Sequence, residues 1–154
     1  MTPRVLLLLS GANLNLLGDR EPDVYGTETL DDHVAAARRR AGDLGFELEH
    51  LQSNHEGDLV DAIGGARRRV AAIVINAGAF THYAWALHDA LAAFDGPVIE
   101  LHLSNPAERE PWRHLSVVEP QATAVVAGLG ADGYPAAVSA AVAALEAAAP
   151  ADGS

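Results

Sequence analysis

Glu100 and His102 stand two residues apart in the run Val98-Ile99-Glu100-Leu101-His102. In an extended strand, side chains at that spacing share one face. A carboxylate beside an imidazole fixes its tautomer and favours the protonated ring, which makes a proton donor near neutrality. The spacing alone describes a buried structural ion pair equally well. A second pair, Arg20 and Tyr25, lies in Gly18-Asp19-Arg20-Glu21-Pro22-Asp23-Val24-Tyr25-Gly26. Two bounding glycines and Pro22 predict a loop and not a helix, one able to close over a site as a lid. A free tyrosine is only about 0.1% ionised at pH 7. A nearby guanidinium favours the phenolate, which can act as a base. The alternative for this pair is a surface arginine and a half-buried anchor.

These side chains need a scaffold, and the apolar pattern supplies one. Val5–Leu9, Phe46–Leu51, Ala71–Ile75, Pro97–Leu101 and Thr123–Ala127 read as strands. Thr29–Leu44, Glu56–Arg69, Tyr83–Phe94 and Tyr134–Ala148 read as helices, with apolar residues at helical spacing. Strands alternating with helices predict an α/β fold, a flavodoxin-like three-layer sandwich. Its five-stranded parallel sheet would carry helices on both faces. Sites in such sheets lie beyond the carboxyl ends of the strands, at the topological switch point. Polar residues collect there. Ser10, Asn13 and Asn15 follow the first strand, Asn76, Thr81 and His82 the third, and Ser104 and Asn105 the fourth. The whole chain, 1–154, reads as one domain, with 149–154 a frayed tail.

Composition removes several chemistries. There is no Cys, so thiol nucleophiles, disulfides and thiolate metal sites are excluded. All ten basic residues are Arg, so a Schiff-base lysine and a phosphate-loop lysine are excluded too. A net charge of −11 argues against nucleic-acid binding. The two Arg triplets, 38–40 and 67–69, fall in helix-like segments and read as solvated faces. No apolar run is long enough to span a bilayer and no basic-then-apolar leader is present, so a cytoplasmic chain without membrane contact is expected. The seven histidines lack metal-ligand spacing, and no metal is expected. Gly128-Leu129-Gly130-Ala131-Asp132-Gly133 matches a dinucleotide fingerprint. The strand and acidic residue that such a site needs afterwards have no room, so these glycines read as a tight turn into the last helix.

Four stretches together resemble type II 3-dehydroquinate dehydratase. They are Gly11 to Gly26, Gln52-Ser53-Asn54-His55-Glu56-Gly57, Ile75 to His82, and Val98 to Asn105 leading to Arg109-Glu110 and Trp112-Arg113. The resemblance covers about residues 4 to 135. It implies dehydration of 3-dehydroquinate to 3-dehydroshikimate through an enolate, without Schiff base, cofactor or metal. Tyr25 resembles the base that takes the C2 proton, and Arg20 the lid residue that favours its phenolate. Asn13 resembles the group that holds a water against the enolate oxygen. His102 resembles the acid for the departing C1 hydroxyl, oriented by Glu100. Arg113 resembles the carboxylate clamp. Asn76, His82, Ser104 and the backbone of Leu103 resemble the other substrate contacts. Asp89 resembles a residue that reaches a neighbouring subunit's site, and the family implies a homododecamer built from trimers.

Three positions depart from the family pattern. Ala12 replaces a proline, Ala107 a larger residue, and Leu115 a commonly polar one. They bear on assembly and lid packing more than on the reaction. The same chemistry would serve an amino analogue of dehydroquinate as substrate, or a role in quinate catabolism. A rival of another class is a non-catalytic flavodoxin-like binding module, which a bound flavin would reveal by colour.

Overall fold

Leu6 to Leu9 are all buried, and they alternate between two hydrophobic clusters. Leu6 and Leu8 join one cluster while Leu7 and Leu9 join the other, as the period-2 geometry of a strand dictates. A strand apolar on both faces belongs in the middle of a sheet covered on both sides. The computed structural model describes residues 3–149 and shows that arrangement. The frayed tail expected at 149–154 therefore lies outside the described residues except for Ala149.

Five strands, β1 (Val5–Ser10), β2 (Glu47–Gln52), β3 (Ala72–Asn76), β4 (Val98–His102) and β5 (Ala124–Ala127), form one sheet in the order β2-β1-β3-β4-β5. Every adjacent pair is parallel. Helices α2 (Leu30–Asp43) and α5 (Gly133–Ala148) cover one face, and α3 (Glu56–Ala66) and α4 (Trp85–Ala92) cover the other. The flavodoxin-like α/β sandwich expected from the pattern is thus observed. The first four strands each run one residue further than the apolar runs suggest. They end on Ser10, Gln52, Asn76 and His102, because the backbone ladder continues past the last apolar side chain.

The switch point lies between β1 and β3, from which the chain winds to opposite edges. Glycine lets the two loops meet there. A Cβ on Gly11 would stand 2.1 Å from the carbonyl oxygen of Ala77. Gly78 has φ +61°, and a Cβ there would stand 2.8 Å from the oxygen of Ala12.

Two local readings need correction. The Gly18–Gly26 loop contains a helical turn, α1 (Pro22–Tyr25), with Pro22 at its first position and Gly26 in the left-handed region after it. Pro22 starts this turn where a proline inside a helix would break it, because its missing N–H falls among donors that have no helical partner. The helix expected over 56–69 stops at Ala66, and Arg68 takes φ +64°. The second Arg triplet therefore forms a solvated turn and not a helix face. Gly130–Asp132 forms a tight turn into α5, as expected.

Candidate active site

The first loop after β1 begins with a short turn, Leu14–Leu16, whose Leu14 is buried beside Leu17. These two apolar anchors fix the root of the segment that carries Arg20 and α1. Its far end is fixed at α2, where Thr29 and Asp32 form a reciprocal capping box at 3.2 and 3.0 Å. Between these ends the segment lies over the carboxyl edge of the sheet, and Tyr25 packs against the buried cluster below it.

A cavity of about 120 Å³ opens at this edge. Arg20, Tyr25, Asn76, His82, His102, Leu103, Ser104 and Arg113 all line it. Three residues named from the sequence do not. Glu100 lies behind His102, 3% exposed. Asn13 is exposed in the left-handed region at φ 67°, and its N–H donates to Asn54 Oδ1 at 2.9 Å. Its neighbours Ala12 and Leu14 line the cavity instead. Asp89 stands on α4 with its side chain 86% exposed, against His88 Nδ1 at 3.3 Å.

Tyr25 is half-buried between two cations. Arg109 Nη1 donates to its hydroxyl at 2.7 Å. The guanidinium carbons of Arg20 and Arg109 each lie 5.2 Å from its ring centre. Arg20 Nε also lies 3.6 Å from Glu21 Oε2. Sequence reasoning gave Arg20 this place and missed Arg109, which reaches Tyr25 across 84 residues. The one signal for it was its place four residues before Arg113, in the run after a site-bearing strand.

His102 and Glu100 form the second centre. His102 Nε2 lies 2.6 Å from Glu100 Oε2, both groups buried on β4. Ser116, also absent from the sequence reading, hydrogen-bonds both Glu100 oxygens at 2.9 and 3.0 Å.

His82 lines the same cavity as His102. The Leu115 carbonyl can only accept, so His82 Nδ1 carries the hydrogen in their 2.7 Å contact. Burial pushes His82 below the ordinary histidine value, and the Leu115 bond opposes this in part. A neutral ring at pH 7 then leaves Nε2 as an acceptor for a hydroxyl. The His82 ring stands nearly perpendicular to that of Trp112, centres 5.2 Å apart, and Arg113 lies over the same indole at 4.0 Å. Arg113 Nε donates to Glu110 Oε2 at 2.6 Å, which holds the Glu110 carboxyl below its usual range. Asn76 Nδ2 donates to the buried Tyr134 hydroxyl at 3.3 Å, so its amide orientation is set from behind the site.

One cavity thus brings together a phenol flanked by cations, an imidazole paired with a carboxylate, and a further arginine. That set suits proton abstraction and elimination on an anionic, hydroxylated substrate. Among the described residues there is no cluster of three potential metal ligands. No helix among them is long and apolar enough to cross a membrane.

Comparison with known proteins gives the same direction. The family model "Dehydroquinase class II" matches residues 4–142. A catabolic 3-dehydroquinase of Aspergillus clavatus is 55% identical over 133 residues, 86% of this chain and 89% of that protein. A 3-dehydroquinate dehydratase of Bacillus licheniformis is 53% identical over 134 residues, 87% and 92% of the two chains. The crystal structure of a type II dehydroquinase from Butyrivibrio crossotus superimposes with a TM-score of 0.88 at 40% identity, covering 91% of this chain and 98% of that one.

Proposed function

The chain belongs to the class II dehydroquinase family, and from that premise we propose how its residues carry the reaction and in what assembly. It is a hydro-lyase that dehydrates 3-dehydroquinate. Tyr25, as its phenolate, takes the proton from C2 beside the ketone. Positive charge from Arg109 and Arg20 favours that phenolate, and the observation that carries the reading is the 2.7 Å contact of Arg109 with the Tyr25 hydroxyl. The C2 electron pair moves into the ketone and gives an enolate. Asn13, at the root of the segment, holds a water against the enolate oxygen. When the enolate collapses, the C1 hydroxyl leaves with a proton from His102, and the product is 3-dehydroshikimate.

Base and acid enter the cavity from different elements, the segment after β1 and the end of β4, which suits an anti elimination. Arg113 holds the substrate carboxylate, while Asn76, His82, Ser104 and the Leu103 backbone meet the carboxylate and ring hydroxyls. Exposed charges are screened beyond about 8 Å at physiological salt, so Arg113, Arg20 and Arg109 outweigh the distant net charge of −11.

The test is direct. Purified protein without added metal or cofactor should convert 3-dehydroquinate to a product with the ultraviolet absorbance of a conjugated enone carboxylate. Borohydride added with substrate should leave it active, and inactivation would contradict a route without Schiff base. We place the enzyme in the shikimate route of aromatic biosynthesis. Its relatives include proteins named as catabolic and proteins named without that word. Loss of the gene should cause a requirement for aromatic amino acids, whereas loss only of growth on quinate would assign it to catabolism.

The assembly is a homododecamer built from trimers, in the cytoplasm. Asp89, exposed on α4 and outside its own cavity, would reach the site of a neighbouring copy. Light scattering should give about 193 kDa, twelve times the 16.1 kDa chain.

A further inference from the structure

Ser116 Oγ sits among four hydrogen-bonding partners, and only one assignment of its proton satisfies them. The backbone N–H groups of Val118 and Glu119 lie 3.2 and 3.0 Å from it, and they can only donate. They occupy the hydroxyl's acceptor capacity. Its single hydrogen must then go to Glu100, whose two oxygens lie 2.9 and 3.0 Å away and share it. Glu100 thereby accepts from Ser116, which fixes the orientation of its carboxyl group. For the ionised carboxylate, the remaining Glu100 contact, Oε2 to His102 Nε2 at 2.6 Å, takes its hydrogen from the ring.

We propose that Ser116 is a positioning residue for His102: by orienting Glu100 it keeps Nε2–H donating to that carboxylate, so that the proton given to the departing hydroxyl is the second one, carried on Nδ1 of the doubly protonated ring. The inference rests on the reading of His102 as the acid.

The surroundings make Ser116 a rigid post. Val117 and Val118 are fully buried, and Val117 N–H donates to the Thr81 carbonyl at 2.8 Å, which ties the segment to the loop after β3. A hydroxyl held in this way cannot rotate its hydrogen elsewhere without leaving an N–H or a buried carboxylate oxygen unpaired. The charged and titratable neighbours of the pair are His82, Arg113, His114 and Glu119. No hydrogen bond joins any of these four side chains to the Glu100 carboxylate among the described residues, so Ser116 and His102 alone orient it.

The test compares Ser116→Ala with Ser116→Thr, which keeps the hydroxyl. Nitrogen NMR of the His102 ring, taken at a pH where the ring is neutral, should show Nε2 protonated in the unsubstituted enzyme and in Ser116→Thr, and a mixture of tautomers in Ser116→Ala. The alanine variant should lose about 10- to 100-fold in kcat with KM nearly unchanged, and threonine should restore most of it. An unchanged tautomer and rate in Ser116→Ala would overturn the proposal. So would a loss that Ser116→Thr fails to restore, which would mark a packing role. His102→Ala separates the two readings. Full activity in that variant would remove His102 as the acid, while the tautomer of the unsubstituted ring would still decide the role of Ser116.

Discussion

Glu100 and His102 stand on a strand, 3% and 8% exposed, whereas Arg20 and Tyr25 stand on a segment of glycines, one proline and one helical turn whose Val24 is 40% exposed. The side proposed to supply the acid inherits its geometry from β4, from the sheet register and from Ser116. The side proposed to supply the base takes its geometry from Leu14 and Leu17 at one end, the Thr29 cap at the other, and the Arg109 contact between them. A group built into the core cannot be removed without disturbing the fold. A group on a covering segment can be removed with little effect on stability, and can move to admit substrate. Elimination needs both, because the ligand must enter and the reacting groups must then be close.

The sharpest break in this contrast is Tyr25→Phe. It should lose about 10²- to 10⁴-fold in kcat, the usual weight of one general base. Unfolding stability should change by no more than about 0.5 kcal/mol, as for a surface substitution. Activity near the unsubstituted level would remove Tyr25 from its role. Glu100→Ala should behave differently, losing activity and about 3 kcal/mol of stability together, because it leaves His102 and Ser116 unpaired in the core. Denaturant titration checks this, and an unchanged midpoint would show that the pair is not structural.

Arg113→Ala should raise KM about 10- to 100-fold, the value of one charge-assisted contact, with a smaller change in kcat. Steady-state kinetics with 3-dehydroquinate reads it, and an unchanged KM would remove Arg113 from the clamp.

The smallest effect concerns three buried or half-buried histidines. Burial pushes His33, His50 and His82 below the ordinary histidine value of 6.5. Unfolded histidines therefore bind protons more readily than these folded ones. The stability held by the neutral rings is present above about pH 6.5 and is lost as pH falls toward the lower folded-state values. His33 stacks on Tyr134 at 5.0 Å, and its buried Nε2 has no hydrogen-bond partner among the described residues. His33→Phe should keep the stacking and flatten the decline in Tm between pH 7 and 5. A parallel decline in both proteins would refute this.

The sequence made the acid side easier to read than its supports. Period-2 spacing put Glu100 and His102 on one face, and apolar runs located the strands to within about a residue. Ser116 and Arg109 were not legible, since each acts on a residue 16 or 84 positions away, and only the folded chain creates those contacts. The roles of Arg20 and Tyr25 came from the resemblance and not from their spacing, which fits any surface loop. Their segment also hid a helical turn, because Pro22 starts helices as readily as it interrupts them. Arg67–Arg69 failed for a similar reason. Helical composition ran past Ala66, but the backbone had to turn at Arg68 to bring Ala72–Asn76 into the sheet.

The most direct test is a crystal structure of the enzyme with a mimic of the enolate bound. The Tyr25 oxygen should lie about 3–3.5 Å from the C2 position, still touching Arg109, with His102 at the C1 side. A Tyr25 hydroxyl pointing into solvent, away from C2 in the occupied site, would contradict the account.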